Sequence, residues 1–268
     1  MKSYLINGLM IVTGWSCRSP PPNSCSSILA AQEYQLGIGA LREQWRLIVR
    51  LMNELIARFC DVDTTAICDA DKTTRVMDSA IRCRSATVRI LGPAFTVRCR
   101  NDFLAVLRAV ELASPGDVIV VDGGAAQIAL AGELFARGAL VRDLGGIIVD
   151  AGYRDMTYVT RCELPIYSRF VTPLAGTASE LGELQISVTC GGVLVNPGDV
   201  ILADNEGVVV VDAERVRTVL ELAAKIKAAE GKLIERLNDG FTLSDRLNLQ
   251  EHVDTLERGE SSTLRFIP

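Results

Sequence analysis

Twice in this chain a Pro-Gly-Asp turn opens an unbroken run of apolar, mostly branched residues that stops on an aspartate: PGDVIVVD at 115–122 and PGDVILAD at 197–204. Two further runs have the same character. Ile147–Val149 ends at Asp150 after Gly145-Gly146, and VVVVD at 208–212 follows Asn205-Glu206-Gly207. A strand with one wet face alternates apolar and polar residues, whereas an unbroken run is apolar on both faces and belongs inside an α/β sheet. Between the first and second buried strands, the stretch from Gly132 to Arg142 has helical character, so strand, helix and strand make a βαβ unit with a right-handed crossover. The repeated Pro-Gly-Asp turn is compatible with internal symmetry. It is equally compatible with convergent turn chemistry, because Pro and Gly suit the centre of a type II turn before any strand.

The other elements follow from the same rules. Leu47, Leu51 and Leu55, with Ile48 and Phe59, predict an amphipathic helix over 41–60. Thr65–Asp71 leads into a loop. Val88–Cys99 is a strand bent at Gly92-Pro93, and Asn101 and Asp102 are N-cap candidates for a helix running through Leu104, Leu107 and Leu112 to Ser114. Gly123-Gly124 reads as a glycine-rich loop before the Gly132 helix. An Ala- and Lys-rich helix spans Ala213 to Arg236, and the polar tail after Gly240 is placed to pack on a neighbouring subunit. Residues 41–268 read as one domain and residues 1–40 as an extension, which Pro20, Pro21 and Pro22 keep out of regular structure.

Composition removes several functions. A formal net charge of −5, with no basic run, argues against a nucleic-acid binder. Arg82, Arg84, Arg89, Arg98 and Arg100 alternate with other residues as the outer face of strands would. The eight cysteines contain no CxxC pair and lie in apolar segments, which suggests a reducing, cytoplasmic setting. The single histidine, His252, falls in the polar tail as a solvated bystander, which speaks against imidazole-dependent hydrolases, zinc sites rich in histidine and phosphohistidine carriers. Leu5–Trp15 is too short to span a bilayer and lacks a small-x-small cleavage site, which argues against a leader or a membrane role. No G-x-G-x-x-G follows the first buried strand, so a dinucleotide site is not expected.

Ligands of α/β sheets bind beyond the carboxyl ends of strands. Two such ends carry chemistry here: Asp122-Gly123-Gly124 with the helix start at Gly132-Glu133, and Asp150 through Arg154-Asp155. Arg154 offers a forked cation for a carboxylate, and Asp155 an oxygen for a hard metal. The helix opening at Gly132-Glu133 exposes the backbone N–H groups of Leu134 and Phe135 to an anion. Asp122, Asp150 and Asp69 are weaker candidates, each more readily a turn or cap residue. Cys162 and Cys190 lack an imidazole partner and are not expected to be nucleophiles. A Schiff-base route needs a lysine in a dry pocket. None of Lys2, Lys72, Lys225, Lys227 and Lys232 reads as buried.

The stretch from Gly92 to about Glu230 resembles the 4-hydroxy-4-methyl-2-oxoglutarate aldolases and their relatives, the regulators of ribonuclease activity A. The resemblance is carried by GPAFTV at 92–97, PGDV at 115–118 with Asp122-Gly123-Gly124, and Gly132 with the acid after it. It continues through Gly146 to Arg154-Asp155, PIYSR at 165–169 with Thr172-Pro173, VNPGD at 195–199 and DNEGV at 204–208, and more loosely back to Cys68-Asp69-Ala70. It implies an α/β, swivelling β/β/α (phosphohistidine-domain-like) fold with a central sheet flanked by helices, assembled as a homotrimer or homohexamer. It also implies Mg²⁺ or Mn²⁺, with retro-aldol cleavage of a small 2-oxo acid to pyruvate or decarboxylation of oxaloacetate. Asp155 would hold the metal and Arg154 the substrate's carboxylate and keto oxygen, while residue 133 would complete the metal's water shell. That residue is aspartate in the family pattern and Glu133 here, which puts the substrate range in doubt. The alternative is a non-catalytic regulator that binds an RNA-degrading enzyme, since relatives of the same fold act that way.

Overall fold

The computed structural model describes residues 2–6, 9–13 and 61–265. The chain divides into two units, Met1–Leu51 and Met52–Pro268. In the first, β1 (Lys2–Ile6) and β2 (Leu9–Thr13) pair antiparallel, with Lys2 opposite Thr13. The helix predicted over 41–60 lies outside the described residues, as does most of the predicted extension.

The second unit holds β3 (Arg75–Val76), β4 (Arg82–Cys83), β5 (Ile90–Arg98), β6 (Val118–Ala131), β7 (Gly146–Tyr153), β8 (Ile166–Val171), β9 (Glu183–Leu184), β10 (Val188–Cys190), β11 (Val193–Val195), β12 (Val200–Ala203) and β13 (Val208–Val211). Its helices are α1 (Thr64–Ala70), α2 (Leu104–Leu112), α3 (Glu133–Val141), α4 (Met156–Val159), α5 (Val216–Asn238) and α6 (Leu249–Glu257). Among the described residues, nine strands form one mixed sheet in the order β3-β13-β12-β5-β6-β7-β8-β4, with β9 also on β5. Strands β5, β6, β7 and β8 run parallel to one another, while β12 runs antiparallel to both β5 and β13.

Strand β5 changes partner at the predicted bend. Ile90–Pro93 pairs antiparallel with β12, and Ala94–Arg98 pairs parallel with β6. Gly92 permits this because a Cβ there would stand 2.3 Å from the Gly116 carbonyl oxygen of the Pro-Gly-Asp turn. The two copies of that turn therefore open strands on opposite sides of β5, β6 parallel to it and β12 antiparallel.

The unbroken runs sort their side chains between layers with a period of two. Ile119, Val121, Ile147 and Val149 pack against α2 and α3, in a core shared with Ala105, Ala109, Ala136 and Ala139. Val118, Val120 and Ile148 face the other way and meet Ile201, Ala203, Val208 and Val210. The remaining faces of β12 and β13, Val200, Leu202, Val209 and Val211, are covered by Ala66 and Ile67 of α1 and Val216, Val219 and Leu220 of α5. This is an α/β domain with a central sheet flanked by helices.

Some expectations are corrected. The segment that leads into the loop after Asp71 is itself helical: Asp63 caps α1 by accepting the Ala66 N–H at 2.9 Å, and burial of Ala66 and Ile67 completes the reason for the helix. Gly123-Gly124 is not a loop, because β6 runs on to Ala131, with register shifts against β7 after Val121. The βαβ unit β6-α3-β7 forms as expected. Asp102 does accept the Leu104 N–H (2.9 Å), but its other oxygen gathers the N–H groups of Ser179 and Glu180 and the Thr177 hydroxyl. It is a buried clamp on the 177–180 segment as much as a helix cap. Asn101 takes a left-handed backbone (φ 55°), and its carbonyl accepts the Thr177 N–H. His252 is half-buried within α6, and its Nδ1 has no hydrogen-bond partner, so it is not a solvated tail residue.

Candidate functional site

Every residue of β7 is buried, and the chain emerges at Arg154. Its exit is registered on the end of β6: the Arg154 N–H donates to the Ala131 carbonyl (3.1 Å), and the hydroxyl of fully buried Tyr153 donates to that of Gly132 (3.2 Å). Asp155 then takes the left-handed conformation (φ 61°, ψ 43°), which aspartate tolerates better than most residues. This turn sends the Asp155 carboxylate back toward α3, where Oδ2 accepts the Glu133 N–H at 3.0 Å. Arg154 Nε lies 3.7 Å from the same oxygen. The approach is close enough that a Cβ on Gly132 would stand 2.3 Å from Oδ2 and 2.9 Å from Arg154 Cγ, so only glycine leaves the space.

Gly132, Glu133, Arg154 and Asp155 thus converge, as the sequence placed them. The N–H groups of Leu134 and Phe135, in the first turn of α3, have no acceptor among the described residues and lie at the positive end of the helix dipole. The side chains of Arg154, Asp155 and Glu133 are each about 40 % exposed. A cleft of 230 Å³ between α1 and α5, and one of 360 Å³ where the tail folds over α6, contain none of these residues. On a single chain the site is an open shelf.

The acids near it are two, and they differ. Asp155 Oδ1 makes no hydrogen bond, whereas Glu133 Oε1 accepts from Arg137 Nε at 2.7 Å. Among the described residues no group of three or more His, Cys, Asp or Glu side chains could enclose a metal. These residues alone do not build a closed zinc-type site. A donor set of one or two carboxylates with room for water fits Mg²⁺ or Mn²⁺, which keep much of their hydration, and the cradle vacated at Gly132 lies against Asp155 Oδ2.

The weaker candidates are occupied elsewhere. Asp122 is buried, and its Oδ1 receives Arg100 (2.9 Å) and the Gly124 N–H (3.1 Å), with Arg98 3.5 Å from Oδ2. Asp150 is buried between Arg169 Nε (2.5 Å) and the Gly191 N–H (2.7 Å). Asp69 pairs with exposed Lys72 (2.5 Å). The arginines read as the outer face of strands are mostly clamps: Arg84 donates to the Ser168 hydroxyl and carbonyl, and Arg89 to the Val62 carbonyl. All five described cysteines are free. Burial pushes the Cys99 thiol up to about 12 and Cys190 well above its ordinary value, so neither is a poised thiolate. Lys72, Lys225, Lys227 and Lys232 are exposed. Sequence reasoning passed over Arg137 and Tyr158. The i, i+4 spacing of Glu133 and Arg137 was a usable signal; nothing local pointed to Tyr158.

Parallel strands that deliver an acid and a cation to their carboxyl ends are the α/β way of building a ligand site, and at that level the class of the domain is defined. The model of the RraA-like family, described as Aldolase/RraA, matches residues 64–210, more than half of the chain. The chain belongs to that family. A protein of Halalkalibacterium halodurans named "Putative 4-hydroxy-4-methyl-2-oxoglutarate aldolase" is 33% identical over 202 residues, 75% of this chain and 96% of that one. Among solved structures, the RNA-processing inhibitor RraA from Thermus thermophilis matches with a TM-score of 0.53 and 26% identity, over 55% of this chain and 91% of that one. Streptomyces coelicolor RraAS2, described as an unusual member of the RNase ES inhibitor RraA family, matches with a TM-score of 0.59 and 27% identity, over 68% and 96%. No helix among the described residues is long and apolar enough to cross a membrane.

Proposed function

We propose that the protein is a divalent-metal-dependent lyase that cleaves a small pyruvyl-type 2-oxo acid. Its reaction would be retro-aldol cleavage of 4-hydroxy-4-methyl-2-oxoglutarate or a similar acid, decarboxylation of oxaloacetate, or both. The observation that carries this reading is the meeting of Asp155, Arg154 and the open first turn of α3 across Gly132. Arg154 binds the substrate's carboxylate and keto oxygen, and the Leu134 and Phe135 N–H groups receive carboxylate oxygen at the helix end. Asp155 holds Mg²⁺ or Mn²⁺, with Glu133 acting through water. A cation bound there supplies Lewis-acid stabilisation of the charge that develops on the 2-oxo group when the adjacent carbon–carbon bond breaks. Arg154 lies beside that oxygen and adds a fixed positive charge.

The reading extends to assembly. Leu134 and Val141 on α3 are 78 % and 85 % exposed, and an open shelf beside apolar side chains suits closure by a neighbouring copy. A homotrimer or homohexamer is proposed, with the layers of the domain arranged as in the swivelling β/β/α, phosphohistidine-domain-like fold. The free cysteines suit a cytoplasmic setting. The second reading, a non-catalytic regulator that binds an RNA-degrading enzyme, is favoured by the inhibitors among the structural relatives. A purely binding protein has no use for the Gly132 cradle around Asp155.

The test is pyruvate release from oxaloacetate and from 4-hydroxy-4-methyl-2-oxoglutarate, with Mg²⁺ or Mn²⁺ and then with excess chelator. Release that the chelator abolishes is expected. Folded, metal-supplied protein that releases no pyruvate from either substrate would overturn the lyase reading in favour of the regulator.

A further inference from the structure

Glu133 is held by a neighbour that also touches the other half of the site. Arg137 Nε donates to Glu133 Oε1 at 2.7 Å, and the Arg137 guanidinium carbon lies 4.2 Å from the centre of the Tyr158 ring. Tyr158 belongs to α4, which begins directly after Asp155, and its backbone N–H donates to the Asp155 carbonyl at 3.0 Å. On its far side, the Cys162 thiol points at the Tyr158 hydroxyl across 3.8 Å. One guanidinium therefore bridges α3, which carries Glu133, and α4, whose first turn is built on Asp155.

We infer that Arg137 is a positioning residue of this site: it fixes the Glu133 carboxylate in one rotamer, leaving Oε2 for a water of the cation's shell, and ties α3 to α4 through the Tyr158 ring. The inference rests on the lyase reading above and deepens it. An unheld glutamate has three side-chain torsions to immobilise each time the site fills. An ordinary exposed i, i+4 pair would not remove that freedom, because both partners stay mobile. Here the planar guanidinium is itself stacked on an aromatic face, which leaves its fork preset.

The experiment is a titration of the full-length chain with Mn²⁺ alone, read by the electron-paramagnetic signal of free Mn²⁺, with thermal melts to verify folding. Arg137→Met is expected to weaken Mn²⁺ binding about tenfold, the scale on which partners of metal-site residues act. Arg137→Lys should recover part of that loss, and Tyr158→Phe should bind as the parent does. In a Glu133→Ala background no carboxylate is left for residue 137 to hold, so adding Arg137→Met should change the affinity less than about twofold. Equal losses in both backgrounds, or an Arg137→Met affinity within about twofold of the parent, would overturn the inference while leaving the lyase intact. A parent chain that neither binds Mn²⁺ nor releases pyruvate overturns the lyase reading itself, and this inference with it.

Discussion

Asp150 lies within β7 and Asp155 just beyond its end, each with an arginine beside it, and the two pairs could hardly be less alike. Asp150 is sealed: it is buried, Arg169 and the Gly191 N–H take its two oxygens, and Arg169, only 13 % exposed, reaches on to Asp78 at 2.7 Å. The Asp150 hydrogen bond, more than any other influence, raises the Arg169 pKa. Asp155 is open: one oxygen caps α3, the other is free, Arg154 stands off at 3.7 Å, and both side chains are about 40 % exposed. A carboxylate whose lone pairs are spent on the protein holds the fold. One that keeps capacity in reserve, on a left-handed backbone at a strand exit, is placed to meet a ligand.

Three substitutions would break or sharpen that contrast. Asp155→Ala should lower turnover by roughly a thousandfold or more while moving the melting temperature little, since it removes a direct metal and transition-state contact; steady-state pyruvate release and a melt measure both. Asp150→Ala should do the reverse. It strands Arg169 next to buried backbone, and about 3 kcal/mol of stability should be lost in urea unfolding, with turnover per folded molecule kept. Gly132→Ala probes the cradle, because its Cβ forces Asp155 Oδ2 away from the Glu133 N–H. A displacement near 1 Å predicts a fall in kcat/KM of about a hundredfold, with a small loss of stability.

The smallest effect lies in the repeated turn, where local sequence is shared and surroundings are not. Asp117 accepts the Ser114 N–H and Asp199 the Asn196 N–H, each at 2.8 Å, but only Asp199 is also paired with an arginine, Arg75 at 3.0 Å. Without a cation, burial pushes the Asp117 carboxyl up to about 6. The folded state then holds its proton more tightly than the unfolded chain, so stability falls as pH rises from about 4 through 6 and the cost is full above that. Asp117→Asn keeps the hydrogen bond and should stabilise the protein by on the order of 1 kcal/mol at pH 7, with no gain near pH 4. Urea titrations at the two pH values measure the difference.

The same turn shows how far the sequence could be read. Its glycine and its aspartate specify the bend, and the unbroken run after it specifies a buried strand, because both depend on neighbouring residues. Which way that strand pairs is decided across the sheet, at Gly92 and Pro93, and so β6 and β12 differ in direction despite their common opening. The start of α3, the exit of β7 and the Arg154-Asp155 pair were legible for the same local reason. The continuation of β6 through Gly123-Gly124 was not, since it depends on pairing with Ala151, Gly152 and Tyr153 of β7. Nor was the role of Tyr158, which acquires its meaning from Arg137 on another helix.

The most direct test places the two aspartates side by side: pyruvate release per folded molecule by Asp155→Asn and by Asp150→Asn, with Mg²⁺ present and the folded fraction measured for each. Loss of release in Asp155→Asn with near-parental release in Asp150→Asn is the predicted result. Equal release by the two variants, whether both high or both low, would contradict the assignment of the open aspartate to the chemistry and the sealed one to the fold.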